Sequence, residues 1–232
     1  MKRPSTRPPA GSPHCALLQG GELQAVIGDA SRRGVGGPQY CGVWSLASSR
    51  WPFNAFGNSY AGLIPGLIRG RAPRLEQTAD DTCRLTRAAD EPYPVDVTAV
   101  YRLVEPCAID HEIRFTDRRD MREPGCTFRE ASWCSYINCP DDPTLHFRSG
   151  GAWTSYISPA HGAGAQIAPA QVPEGELERW PARGEKERPF RWHRAACRFD
   201  EPFYFGRLGP MALIFVFDSP RRLRFFGGLV FA

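Results

Sequence analysis

The stretch from Phe128 to His161, FREASWCSYINCPDDPTLHFRSGGAWTSYISPAH, carries the densest set of chemically useful side chains in the sequence. Trp133, Tyr136, Trp153 and Tyr156 stand close to Glu130, Asn138, His146 and His161. A sugar site needs a flat apolar surface against the C–H face of the ring, and Trp and Tyr supply one while keeping a polar handle. It also needs planar hydrogen-bonding groups in fixed geometry, which carboxylates, Asn, Arg and His provide. Core aromatics of a β-sandwich show the same clustering, so the spacing leaves both readings open.

Glu130 shares a strand face with Phe128 and Cys134, and a carboxylate on a face that reads as buried needs a partner or a task. It is either paired with an Arg of a neighbouring strand or a general base whose pKa is raised by partial burial. His161 sits beside Gly162, which allows close ligand approach, and is the candidate general acid. Arg207 follows an aromatic run and is either a clamp for a substrate oxygen or a rim residue paired with Glu201 or Asp218. Arg114, Tyr136, Asn138, His146, Trp153 and Tyr156 complete the candidate substrate-binding set. His111, His146 and His161 lack HxH or HxxxH spacing, so no metal and no other cofactor is expected. Ser132 and Ser135 lie outside any GxSxG elbow. The Gly-rich run Arg33–Pro38 matches neither GxxxxGK[ST] nor GxGxxG and reads as a turn.

The elements that must position these groups are strands. Leu23–Ile27 and Tyr40–Leu46 read as short strands, and Ser49–Gly70 as a long aromatic loop lying over a core or a ligand. Cys83–Arg87 and Pro94–Val104 alternate or run β-branched. In Ala108–Thr116, Ile109, His111, Ile113 and Phe115 share one face and Asp110, Glu112, Arg114 and Thr116 the other, the period of a half-buried antiparallel strand. Phe128–Asn138 reads as the next strand. Leu145–Phe147 and Ala152–Ile157 follow a Pro/Asp turn. Residues 158–190 are loop-like, with one short helix candidate at Glu174–Trp180 opened by Pro173. The nearly continuous apolar run Met211–Asp218 is expected to be a central strand covered on both faces, with Arg222–Phe226 pairing onto it. Many short strands without helical period predict an all-β antiparallel sandwich.

Composition bounds the rest. The chain has 232 residues, 42% hydrophobic and 23% charged, which suits a folded all-β protein of one domain over residues 15–232 behind a disordered tail at 1–14. The net charge is +4, and Lys2 and Lys186 are the only lysines. The arginines are spread along the chain among acids, without the focused basic face that nucleic-acid binding requires. No run approaches the ~20 apolar residues of a membrane span, and the basic N-terminus lacks an apolar signal core, so a cytoplasmic location without membrane contact is expected. The eight cysteines include no CxxC pair and read as reduced core thiols. The expected partner is a small-molecule or oligosaccharide ligand, and nothing fixes the oligomeric state.

The segments GELQAVIGD, YCGVWSL, YAGL, IDHEIRFTDRRD, WCSYINCPDDPTLHF, W…YISPAHG and PFYFGRLGPMALIFVFD together resemble uncharacterised bacterial proteins with a galactose-mutarotase-like β-supersandwich. The likeness spans roughly residues 20–226 and lies in the order of strands and loops, without a short diagnostic motif. It implies a carbohydrate-active protein: an epimerase-, mutarotase- or lyase-type enzyme, or a non-catalytic carbohydrate-binding module. Known mutarotases pair a His acid with a Glu base, roles that would fall to His161 and Glu130. The apolar ending Gly228–Ala232 implies either a buried last strand or a lost C-terminal portion, and the resemblance implies further strands after Phe226. A purely structural protein with paired core polar groups is the third reading.

Overall fold

The computed structural model describes residues 14–31, 40–57, 60–90, 93–119, 133–138, 142–157, 163–169, 191–218 and 225–227, with backbone alone for 163–169, 191–198 and 225–227. The chain divides into two compact units, the first reaching Asn138 and the second beginning at Cys139. Both are all-β, with no α-helix among the described residues. Among the described residues, no helix is long and apolar enough to cross a membrane.

The first unit contains β1 (Cys15–Gly20), β2 (Leu23–Gly28), β3 (Gly42–Ser48), β4 (Ile64–Pro65), a 3-10 turn at Gly66–Ile68, β5 (Arg74–Gln77), β6 (Thr82–Arg87), β7 (Val95–Val104), β8 (Ala108–Asp117) and β9 (Trp133–Cys134). Antiparallel sheets run β1-β2-β3 and β5-β6-β7-β8, and β4 pairs with β9. β1 lies against β5, β6 and β7, so the two larger sheets share a core, as sandwich layers do. The alternation of β7 makes that core: Val95, Val97, Ala99, Tyr101 and Leu103 are all buried. Burying each aliphatic side chain of this size contributes about 1.5–3 kcal/mol. The opposite face is charged, and Arg102 of β7 donates to Asp110 of β8 at 2.8 Å, across the register that pairs those two residues.

The second unit contains β10 (Leu145–Ser149), β11 (Ala152–Tyr156), β12 (Ala163–Pro169), β13 (Arg191–Phe199), β14 (Phe203–Leu208), β15 (Met211–Val216) and β16 (Phe225–Gly227). One antiparallel sheet runs β11-β10-β14-β15, and a second runs β13-β12-β16 with β12 and β13 parallel. The β10–β11 hairpin turns on Gly150 and Gly151, whose φ values of 61° and 81° are those of a tight hairpin turn that glycine enters without strain. Asp200 holds this turn. Its carboxylate accepts from the Gly151 N–H at 2.7 Å, and its own N–H donates to the Arg148 carbonyl at 2.8 Å.

Four expectations change. Among the described strands, Met211–Val216 is not central: β15 closes one side of its sheet, with Ile214 56% and Val216 72% exposed while Leu213 and Phe215 turn inward. An apolar run does not distinguish a strand covered twice from one whose outward apolar side chains face solvent. Phe225–Gly227 pairs with β12, not with β15. Within 158–190, Ala163–Pro169 is a strand, missed because Ala and Gly carry little strand propensity. Of Phe128–Asn138, only Trp133–Cys134 forms a strand among the described residues, with Ile137 adding one bridge to Phe56. The Gly-rich turn at 33–38, the helix candidate at 174–180 and the tail at 1–13 lie outside the described residues.

Candidate functional site

Register decides which side chains of the second unit share a face. Antiparallel partners point the same way, and so do residues two apart on one strand. His146 pairs with Ser155 and Phe205, Arg148 with Trp153, Phe205 with Ile214, and Arg207 with Ala212. One face of this sheet therefore carries His146, Trp153 and Arg207 together, with Arg148, Phe203, Phe205, Ile214 and Val216. Tyr156 is on the other face, where its hydroxyl is buried without a hydrogen-bond partner among the described residues. Phe147 is buried on that same face, and Tyr204 stacks there on Phe215 at 4.9 Å.

The shared face is open. Trp153 is 61% exposed, its indole edge-on to Phe205 at 5.8 Å and to Phe203 at 6.3 Å. The Arg148 guanidinium lies 5.9 Å from the Trp153 ring centre, and His146 stacks on Phe205 at 5.1 Å. Asp142 adds a carboxylate at the edge. Hydrogen bonds from the Thr144 side chain and N–H hold its pKa below the usual range, and His146 and Arg207 act in the same direction. Ring surfaces thus meet a carboxylate, an imidazole and two guanidinium groups.

Of the remaining expected residues, Arg114, Asn138 and Tyr136 belong to the first unit, and each of these three has its own partners. Arg114 gives its fork to Glu112 on the exposed side of β8, at 2.6 and 2.9 Å. The Asn138 side-chain amide donates to the Asn54 carbonyl at 3.1 Å, and its N–H to the Ala55 carbonyl at 3.0 Å, so it ties down the aromatic loop. Glu130 and His161 lie outside the described residues.

Tyr136 stands in a cluster. Its N–H donates to Ala61 O at 3.1 Å and its carbonyl accepts from the Gly57 N–H at 2.8 Å. Both ends of the residue are thus fixed to the turn that carries Tyr60. The Tyr136 ring stacks on Tyr60 at 4.6 Å and on Tyr40 at 5.9 Å. Gly62 is required beside them, because a Cβ there would overlap the Phe56 ring. The Arg69 guanidinium covers the Tyr40 ring at 4.4 Å and donates to the Tyr136 hydroxyl. Burial pushes the Tyr136 phenol up to about 12, although Arg69 pulls the other way. Burial also raises the neighbouring Cys134 thiol. Tyr60 falls within the aromatic loop Ser49–Gly70, and the sequence alone gives neither it, Tyr40 nor Arg69 a binding role. One signal was there: between Asp29 and Glu76 the sequence has no acidic residue, while Arg50, Arg69, Arg71 and Arg74 all fall in that interval.

His14, Asp29 and Ser31 also meet. Ser31 donates to Asp29 through its hydroxyl at 2.6 Å and its N–H at 2.8 Å, and His14 Nδ1 faces both the Ser31 hydroxyl and Asp29. A catalytic relay needs the two partners on different ring nitrogens. Here one nitrogen meets both, so the group closes a turn.

No protein-family model, no curated protein and no solved structure matches the chain.

Proposed function

We propose that the protein binds carbohydrate on the exposed face of the β11-β10-β14-β15 sheet. The observation that carries this reading is Trp153, 61% exposed beside Phe205, on the face that also holds His146 and Arg207. A large indole left in water costs apolar burial unless a ligand covers it. A sugar ring does so with its C–H face, while Asp142, His146, Arg148 and Arg207 are the types that fix hydroxyls. The resemblance to galactose-mutarotase-like supersandwiches favours the same ligand class. Turnover by an epimerase or lyase route would run through Glu130 as base and His161 as acid. Glu130→Gln abolishing conversion of a bound sugar would move the reading from binding module to enzyme.

The test is a screen of immobilised mono- and oligosaccharides with the full chain and Trp153→Ala. A retained glycan should be lost or weakened about tenfold in the variant, which corresponds to ~1.4 kcal/mol. No retained glycan, or equal retention by the variant, sinks the proposal.

Ile214 and Val216 favour a second reading, since exposed aliphatics on a strand at the side of a sheet also suit a protein surface. A second copy of the chain is that partner. Concentration-dependent dimerisation abolished by Val216→Lys, with no glycan retained, would select it.

A further inference from the structure

We infer that Arg69 and the phenols of Tyr40, Tyr60 and Tyr136 bind an oxyanion, the carboxylate or phosphate of a small ligand. The site belongs to the first unit and stands whether or not the sheet of the second unit binds glycans.

Charge is the first argument. Arg50, Arg84, Arg102, Arg114 and Arg118 of the same unit each meet a carboxylate. Arg69 meets two phenols and a thiol, and no carboxylate pairs with it among the described residues. Burial raises the Tyr136 phenol and the Cys134 thiol, so neither brings a negative charge to the guanidinium near pH 7. The cluster therefore keeps the positive charge of one guanidinium, with no described carboxylate paired to it. Arginine in a partly desolvated position selects planar oxyanions, because its fork matches two oxygens at once.

Geometry is the second. The guanidinium is set against the Tyr40 ring at 4.4 Å and tied to the Tyr136 hydroxyl, so the fork is held before any ligand arrives. Only some of its five N–H donors are used in that way. The Tyr40 and Tyr136 hydroxyls stand at the same guanidinium, and the stacked rings of Tyr60 and Tyr136, 4.6 Å apart, give the ligand an apolar wall. Arg69 is exposed and the three tyrosines are half-buried, so the group opens to solvent. Its backbone support is firm, since Tyr136 is hydrogen-bonded through both its N–H and its carbonyl.

The experiment is calorimetric titration of the full chain with sodium phosphate, with sodium glucuronate and with glucose, at matched ionic strength in sodium chloride. Saturable binding of phosphate or glucuronate, absent for glucose and for chloride alone, is the expected result. Phosphate alone would mark a phosphate ester as the ligand, glucuronate alone an acidic sugar, and both a general oxyanion site. Arg69→Gln should weaken binding at least about tenfold. Tyr136→Phe keeps the ring stack and should weaken it by a smaller factor, which preserves the test should Arg69→Gln unfold. Two results overturn the inference: no saturation with either anion, or unchanged affinity in a folded Arg69→Gln protein or in both variants.

Discussion

The Tyr101 hydroxyl donates to the Leu63 carbonyl at 2.9 Å, from the fully buried centre of β7 to a residue with φ of 47°. A left-handed leucine is strained by about 1 kcal/mol or more, and such residues persist where their surroundings fix them. Here the fixing groups are known. Tyr101 takes the carbonyl, and the Leu63 N–H donates to the Ser135 hydroxyl at 2.9 Å. The turn between Tyr60 and Arg69 is thus bolted to the core of the first unit.

Tyr101→Phe leaves a buried carbonyl without its donor. The expected loss is about 1–3 kcal/mol, the range for an unsatisfied buried polar group. Urea unfolding followed by fluorescence measures it. Because the same bond holds the turn beneath Arg69, oxyanion affinity should fall with it. Unchanged stability would mean that the Leu63 carbonyl finds another donor.

The parts of this fold legible in the sequence are those where one face is wet and the other dry. β7 and β8 announce themselves by strict alternation, and Tyr101 faces His111 in register as that alternation requires. β15 was misjudged because Ile214 and Val216 are apolar yet point outward. The grouping of His146, Trp153 and Arg207 was half legible: residue types and proximity were plain, but only pairing through β14 puts them on one side of a sheet and Tyr156 on the other. The Arg69 cluster was hidden for a different reason. Tyr40, Tyr60, Arg69 and Tyr136 come from four separated, mostly irregular segments, and no periodicity links them. What the sequence offered was a charge imbalance, an acid-free interval rich in arginine, which pairing rules turn into a ligand site only when the fold is known.

His111 makes the stability of the first unit depend on pH. Its ring stacks on Tyr101 at 4.5 Å, its Nε2 is buried without a hydrogen-bond partner among the described residues, and burial lowers its pKa from 6.5 to about 4. A histidine depressed in the folded state binds its proton more readily in the unfolded chain. Its contribution is therefore complete above pH 6.5 and is lost progressively as pH falls towards 4, by up to roughly 3 kcal/mol. His111→Phe keeps a ring on Tyr101 and removes the titration. Unfolding curves at pH 7 and pH 5 should diverge less in this variant than in the parent chain. Equal divergence would place the pH dependence elsewhere.

The thiols are expected to split by burial. Cys41 and Cys83 are buried, and desolvation raises each thiol to about 12, so neither forms the reactive thiolate near neutral pH. Cys107 is exposed and free. Brief alkylation of the native chain with iodoacetamide at pH 8, followed by peptide mass spectrometry, should label Cys107 and leave Cys41 and Cys83 unmodified until denaturant is added. Early labelling of Cys83 would show that the β6–β7 core opens on the minute scale.

Asp200 is the residue through which the glycan reading is tested without touching the glycan face. It holds the β10–β11 hairpin from outside the ladder, at Gly151 N–H and through its own N–H at Arg148 O. Trp153 lies two residues beyond Gly151 and directly opposite Arg148, so this clasp sets where the indole stands. Asp200→Ala removes the side-chain half of the clasp, a charge-assisted bond in partly exposed surroundings that contributes about 1 kcal/mol. Strand pairing of β10 with β14 remains, so the sheet should stay folded while the hairpin tip loosens. The expected outcome is an unchanged strand signal by circular dichroism and a several-fold weaker retained glycan, with Asp200→Asn recovering much of the affinity because its amide oxygen still accepts from Gly151. A positioning role predicts this recovery. If Asp200→Asn and Asp200→Ala lose affinity equally, the carboxylate charge itself contributes to binding, and the clasp is not what matters.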